Sequence, residues 1–213
     1  MQQWLSVPRH EVYLAAAGNA ERALALSEWN DQLSAALHRD LAHLEIGLHN
    51  AYDQALAMRW PEPPHWTRST DAVFAPLYRR RGNHQVDVNR QPRALIQQAL
   101  QASGGADAPA GKVIAELPLG FWRYLSSAAH EKTLWVSCLH RAFPTGTDRR
   151  DVDHPVGRLH QLRNRVAHHE PLLRTDVAGR LDDLARLAHM INPELGQYLV
   201  ATTTVTSWLN RRP

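Results

Sequence analysis

Apolar positions along this chain recur at intervals of three and four residues, which is the spacing of one face of an α-helix. The longest such stretch, 20–59, carries one apolar stripe formed by Leu33, Leu37, Leu41, Leu44, Leu48, Ala51 and Ala55. It ends at the run Trp60–Pro64 (W-P-E-P-P), which a helix cannot cross. The pattern therefore predicts a long amphipathic helix over 20–59.

Proline and glycine punctuate the rest of the chain and predict the remaining elements. We expect a first helix from Ser6, a short helix within 71–79 that is broken at 81–83, and a helix over 92–103. Two short helices follow residue 111 and are separated near 118, and further helices are expected over 131–143, 153–169, 175–191 and 193–208. The β-branched run 202–206 has strand preference within the last of these. Without alternating strands and helices, the predicted fold class is all-α.

The composition is that of an ordinary globular chain. The chain has 213 residues, of which 44 % are hydrophobic and 21 % charged, and that is enough to bury a core. Cys138 is the single cysteine, so no internal disulfide can form, which fits a reducing compartment. Neither a signal peptide nor an apolar run of about 20 residues is visible in the sequence. We predict a cytoplasmic protein without membrane association.

Basic residues are distributed unevenly along the chain. The formal net charge is +3, and the segment from Arg141 to Arg180 contains eight arginines against five acidic residues. This excess is compatible with a polyanionic partner. A solvated helix face explains it equally well.

Sequence patterns for metal sites are incomplete. Three His-Glu pairs occur, at 10–11, 130–131 and 169–170, but each lacks the second histidine that a zinc-protease helix needs three positions after the glutamate. The adjacent His168 and His169 would point about 100° apart on a helix. We therefore predict no metal site and no bound cofactor.

In the segment 156–171, helical periodicity places one arginine on a different helix face from the neighbouring arginines. With about 100° per residue, its apolar side chains fall on one arc of the helix: Val156, Leu159, Leu162, Val166 and Ala167. Arg163 falls inside this arc, whereas Arg158 and Arg165 fall on the opposite side. Asn164 and His168, four residues apart, lie together at the border of the arc.

Two interpretations of Arg163 stay open on this geometry. A charge in an apolar stripe is costly unless it has a partner, a cleft or a subunit interface. Arg163 could pair with a buried carboxylate such as Glu45 and fix helix packing, with His168 favourably placed at a helix C-terminus. Alternatively, Arg163 and His168 form a functional site.

Three ordered blocks resemble a known family. The segment 163–171, R-N-R-V-A-H-H-E-P, resembles the signature of Abi-like (abortive infection) proteins, in which an arginine, a polar residue, three further residues and a histidine mark HEPN ribonucleases. The segment 37–56 resembles the family's first long helix, and 111–122 its central segment. Together the blocks span most of 10–175.

The resemblance implies a single HEPN-like helical domain over 1–213, with an N-terminal helix (1–20), a family core (20–175) and C-terminal helices (176–213). It implies a homodimer that brings arginine and histidine of both subunits into one cleft. The implied chemistry is metal-independent: the RNA 2′-hydroxyl attacks the adjacent phosphate and leaves a cyclic phosphate and a 5′-hydroxyl. The implied function is an endoribonuclease toxin of a phage-defence or toxin–antitoxin system, with RNA and an antitoxin protein as partners.

The resemblance also assigns roles to residues. His168 would act as general base or acid, because histidine exchanges protons near neutral pH. Arg163 would stabilise charge on the phosphoryl oxygens. Asn164 would orient His168 or contact phosphate.

Supporting residues are Glu45 and Asn50 of the long helix, and His169 and Glu170 after the signature histidine; ordinary packing is the alternative for Glu45 and Asn50. His49 stands where an arginine often precedes Asn50. Glu170 occupies the place where some HEPN toxins carry a tyrosine that an antitoxin modifies, so control by that modification is not expected. The alternative function is a non-catalytic HEPN-type module that binds RNA or protein.

Overall fold

The computed structural model describes residues 7–213, apart from the side chain of Arg81. The predicted helix start at Ser6 lies outside the described residues. The described helices are α1 (Val7–Ala17), α2 (Ala20–Arg59), α3 (Thr70–Val73), α4 (Arg90–Ala102), α5 (Ala110–Ala115), α6 (Leu119–Leu125), α7 (Arg149–Ala167), α8 (Val177–Ile191), α9 (Pro193–Thr202) and α10 (Val205–Leu209). The described strands are β1 (Tyr78–Arg81) and β2 (His84–Asp87). The all-α class is confirmed, with this single hairpin as its β-structure within 7–213.

The helices with clear sequence signals lie where they were predicted. Helix α2 runs unbroken to Arg59, directly before the Pro-rich run. Its stripe is buried, with Leu33, Leu37 and Leu48 each at most 1 % exposed. A fully buried leucine side chain contributes about 1.5–3 kcal/mol, so this stripe is a large part of what holds the helix in place.

The short helix predicted within 71–79 is limited to its first turn, and a hairpin begins at Tyr78. Only Thr70–Val73 is helical, and β1 pairs antiparallel with β2 in the register Tyr78 opposite Asp87 and Arg81 opposite His84. Gly82 has a positive φ of 57° and stands first in the two-residue turn, a position that favours glycine. The Gly82-Asn83 pair had been interpreted only as a helix breaker, and it is in fact the turn of a hairpin.

Helix α7 begins at Arg149, earlier than the predicted start near Asp153 and Pro155, and Pro155 lies inside it. Arg149 explains the difference. Its buried guanidinium donates to the carbonyl of Ser126 at 2.9 Å, to Asp153 at 2.8 Å and to Glu131 at 2.7 Å. These tertiary bonds hold the first turn in place despite the N–H that Pro155 lacks.

Two other predicted helices are interrupted, and at each interruption a side-chain hydroxyl donates a hydrogen bond. In 131–143, the Ser137 hydroxyl donates to the carbonyl of Thr133 at 2.7 Å, and the segment forms a π turn (Glu131–Trp135) and a 3-10 turn (Leu139–Ala142). Such bonds compete with helical ones. The helix predicted over 193–208 is divided into α9 and α10, because the Thr203 hydroxyl donates to the buried carboxylate of Asp40 at 2.5 Å.

The chain divides into two compact units, and the first comprises 1–44 and 155–213. It contains α1, the first part of α2, most of α7, and α8 to α10. Helix α8 packs against α9, where a Cβ at Gly196 would lie 2.7 Å from the Cα of His189, so glycine is required for this close approach. The indole of Trp29 donates to the carbonyl of Trp208 at 2.7 Å.

The second unit comprises 45–154 and has an aromatic core. Its buried rings pack mostly edge to face with centroids 5.1–6.5 Å apart: Tyr52, Trp66, Phe74, Phe121 and Trp122. The indole N–H groups are satisfied, since Trp66 donates to Asp53 at 2.7 Å and Trp122 to the carbonyl of Leu117 at 3.2 Å. Across residues 7–213, no helix combines the length and apolar character that a membrane span requires.

Candidate functional site at the end of α7

The signature segment forms the last turns of α7 and the turn that ends it. Helix α7 ends at Ala167, two residues before the predicted His169, in a Schellman turn. The amide of His169 donates to the carbonyl of Val166 at 3.1 Å, and the amide of Glu170 to the carbonyl of Arg165 at 2.9 Å. His169 has a φ of 53°, the left-handed conformation that this turn requires. Pro171 follows and prevents continuation of the helix.

Replacing His169 by glycine is expected to stabilise the protein by about 1 kcal/mol. A side chain in the left-handed conformation is strained, whereas glycine adopts that conformation freely. Urea unfolding of wild type and His169→Gly, followed by circular dichroism, measures the difference. A lower midpoint for the variant would contradict the expectation and indicate that the imidazole itself stabilises the turn.

The burial of α7 follows the predicted arc except at its end, where Ala167, the last residue of the helix, is exposed. Leu159, Leu162 and Val166 are buried, whereas Arg165 is exposed. Arg163 is half-buried, as expected for a guanidinium at an apolar face. Arg163 is therefore set apart in the structure, as in the sequence, from the arginines of the opposite face.

His168 presents its imidazole to solvent. The side chain is exposed, and its amide donates to the carbonyl of Asn164 at 2.9 Å. The carbonyl of His168 accepts a hydrogen bond from the Arg9 guanidinium at 2.9 Å, which ties α1 to the end of α7. The backbone at His168 is thus held from two sides while the ring is accessible.

The amide of Asn164 contacts a different histidine. Its Nδ2 lies 3.4 Å from Nε2 of His160, one turn earlier in α7. This direction follows from helix geometry, because Cα–Cβ bonds tilt toward the N-terminus. A phosphate contact of Asn164 stays a prediction.

Glu170 lies beside Arg165, with 3.5 Å between carboxylate and guanidinium. Both side chains are about half exposed, so the pair contributes less than about 1 kcal/mol. Glu170 is thus available to exchange partners when an anion approaches Arg165.

Glu45 and Asn50 lie in the second unit, on α2. The Glu45 carboxylate is 3.6 Å from Nε2 of His49, one turn away. The His49 ring is stacked on Trp122 with 4.8 Å between centroids, and it is buried. Asn50 is exposed. His49 therefore takes part in the packing of this unit.

Among the residues that the structure describes, no group of three His, Cys, Asp or Glu side chains could hold a metal ion.

A cluster of charged side chains that the sequence did not reveal is built around Asp183. This buried carboxylate accepts two bonds from Arg158, at 2.7 and 2.6 Å, and lies 3.2 Å from both Arg180 and Arg186. Burial alone would raise the pKa of Asp183, but the bonds from Arg158 and the three positive charges lower it. The excess of arginines within 141–180 was the only sequence signal of this cluster.

The fold and site define an all-α protein with a half-buried arginine on α7 and an exposed histidine directly after the end of that helix. Comparison of the chain with models of protein families, with curated proteins and with solved structures found no match.

Proposed function

We propose that the chain is a metal-independent endoribonuclease of the HEPN type, acting as a toxin in a phage-defence or toxin–antitoxin system. The observation that carries the proposal is the end of α7: an accessible His168 stands five residues after the half-buried Arg163, in the order of the Abi-like signature. The two resembling blocks at 37–56 and 111–122 accompany it in the same chain.

The chemistry follows from the two side chains. The imidazole of His168 accepts the proton of an RNA 2′-hydroxyl while the 2′-oxygen attacks the neighbouring phosphorus. The bond from phosphorus to the 5′-oxygen breaks, and that oxygen takes a proton from a protonated imidazole. Arg163 compensates charge on the non-bridging oxygens, for which a guanidinium fork is suited. The products are a 2′,3′-cyclic phosphate and a 5′-hydroxyl.

The proposed site is shared between two copies of the chain. On one helix, residues five apart are separated by about 140° around the axis, so Arg163 and His168 of a single α7 point to different sides. A second copy supplies the complementary pair, with one histidine as base and the other as acid.

Purified wild-type protein is expected to cleave transfer RNA and a defined single-stranded RNA in the presence of EDTA. Analysis of product ends should identify cyclic phosphates, and light scattering should give twice the chain mass of 24.1 kDa. Cleavage only after addition of a divalent metal, or a folded dimer that leaves both RNAs intact, would contradict the proposal. A monomer that cleaves RNA would contradict only the sharing of the site between two copies, and not the nuclease activity.

A second candidate is a non-catalytic module that binds RNA or protein. It is favoured by the surroundings of His168: within the described part of the chain, no side chain makes a hydrogen bond to its imidazole, and the amide of Asn164 contacts His160 instead. A catalytic base usually has such an orienting partner. Retention of RNA without cleavage would select this candidate.

A further inference from the structure

Two adjoining grooves lie on the first unit. One, of about 690 Å³, separates α1 from the segment that follows α7, and the other, of about 400 Å³, lies between α7 and the start of α8. Arg165, Pro171 and Arg174 line both. We call this continuous surface the arginine grooves.

The lining of the arginine grooves is strongly basic. Five arginines contribute to it: Arg158, Arg165, Arg174, Arg180 and Arg212. The acidic residues in the lining are Glu11 and Asp176, and one carboxylate oxygen of Asp176 already accepts the amide of Gly179 at 3.0 Å. The grooves therefore present a surplus of guanidinium groups.

Asp183 binds two of these arginines and holds their side chains in place. It binds Arg158 through both carboxylate oxygens and pairs with Arg180, while only 8 % of its own side chain is exposed. One carboxylate facing three guanidiniums, with Arg186 as the third, leaves positive charge uncompensated. Because the side chains are already ordered, little further entropy is lost when they bind an anion.

The other arginines of the grooves are available. Arg174 is exposed and makes neither a hydrogen bond nor an ion pair with any residue the structure describes. Within the part of the chain that the structure describes, the Arg165 side chain has one polar contact, to Glu170 at 3.5 Å. Arg212 is the exception, because it lies over the ring of Trp29, 5.3 Å from its centroid, and donates to the carbonyl of Leu173 at 3.2 Å.

The spacing of the arginines fits a strand of phosphates. Arg158 and Arg165 are seven residues apart, which is about 10 Å along α7. Two arginines this far apart can contact different phosphates of one strand. Guanidinium forks match phosphate oxygens in a bidentate way, and apolar Leu162 and Leu173 lie between them.

We propose that the arginine grooves bind the phosphodiester backbone of a single nucleic-acid strand. They lie on the opposite side of α7 from Arg163, because Arg163 and Arg165 are about 160° apart around the helix. Arg163 therefore lies on the far side of α7 from a strand in the grooves, whereas His168, about 60° from Arg165 around the helix, lies on the same side. The choice of RNA as the natural strand rests on the proposed function, whereas the backbone binding rests on the grooves.

The test compares two charge-matched variants, each in a His168→Ala background that leaves RNA uncut. Arg165→Gln/Arg174→Gln removes two groove arginines, and Arg22→Gln/Arg90→Gln removes two exposed arginines elsewhere. Binding to labelled 20-nucleotide RNA and DNA is measured by fluorescence anisotropy over a salt series. The groove variant is expected to bind about tenfold more weakly, with a salt slope smaller by about 1.4, since each phosphate contact contributes about 0.7. The control should keep the slope of its parent.

Other outcomes decide against the grooves. Equal slopes for the groove variant and the control would overturn the proposal, as would absence of binding by a folded parent. Displacement of RNA by polyglutamate at equal charge concentration would assign the grooves to an acidic protein instead. If the groove variant melts early, Arg174→Gln alone is used, with half the slope change expected. If wild type does not cleave RNA but the groove variant shows the smaller salt slope, the nuclease activity is rejected and strand binding by the arginine grooves is supported. If wild type cleaves RNA but the groove variant keeps the slope of its parent, the nuclease activity is supported and strand binding by the grooves is rejected.

Discussion

Alanine at His168 is expected to reduce RNA cleavage by about 10²- to 10⁴-fold, the usual contribution of a general acid or base. The imidazole is exposed, so its removal leaves no cavity. The bond from Arg9 is to the carbonyl of residue 168 and persists in the variant. The melting temperature and the affinity for RNA should therefore stay close to those of wild type. Single-turnover rates on transfer RNA in EDTA measure the effect.

His38→Ala provides the matched control, because His38 is an exposed histidine on α2 in the same unit. Its cleavage rate should equal that of wild type at every pH. A variant at position 168 that keeps a tenth of the wild-type rate would remove His168 from the mechanism.

Acidification from pH 6.5 to 4 is expected to destabilise the second unit by up to roughly 3 kcal/mol through His130. His130 is fully buried, its Nδ1 lies 2.9 Å from the Thr133 hydroxyl, and the rings of Phe74 and Tyr124 flank it edge to face. Burial, and to a smaller extent the positive charge of Arg79, together lower the pKa of His130 to about 4.

The sign follows from proton uptake. Between pH 6.5 and 4 the unfolded chain binds a proton at His130 that the folded chain does not, so the free energy of unfolding falls as the pH falls. Above pH 6.5 both states are neutral and this contribution is constant. Urea unfolding at several pH values measures the slope.

His130→Gln is the informative comparison, because glutamine can still bond Thr133 but does not titrate. Its unfolding free energy should fall less steeply between pH 6.5 and 4 than that of wild type. Equal slopes for the two proteins would show that other groups cause the acid sensitivity.

Elements with strong local signals were predictable from the sequence. The stripe of α2, the proline run that ends it and Pro118 between α5 and α6 each act over a few residues, so the pattern is sufficient. The start of α7 was not predictable, since it depends on bonds from Arg149 to Ser126 and Glu131 across the fold. The break between α9 and α10 likewise depends on Asp40, far away in sequence.

The candidate site divides in the same way. Periodicity alone places Arg163 on the apolar face of its helix and Arg165 opposite, because side-chain direction repeats about every 3.6 residues. Tertiary structure alone decided that His168 is anchored by Arg9 and that Arg158 binds Asp183. Helical spacing determines which face of α7 an arginine occupies. Which carboxylate neutralises that arginine, and which groove the arginine lines, are determined only when α7 and α8 pack together.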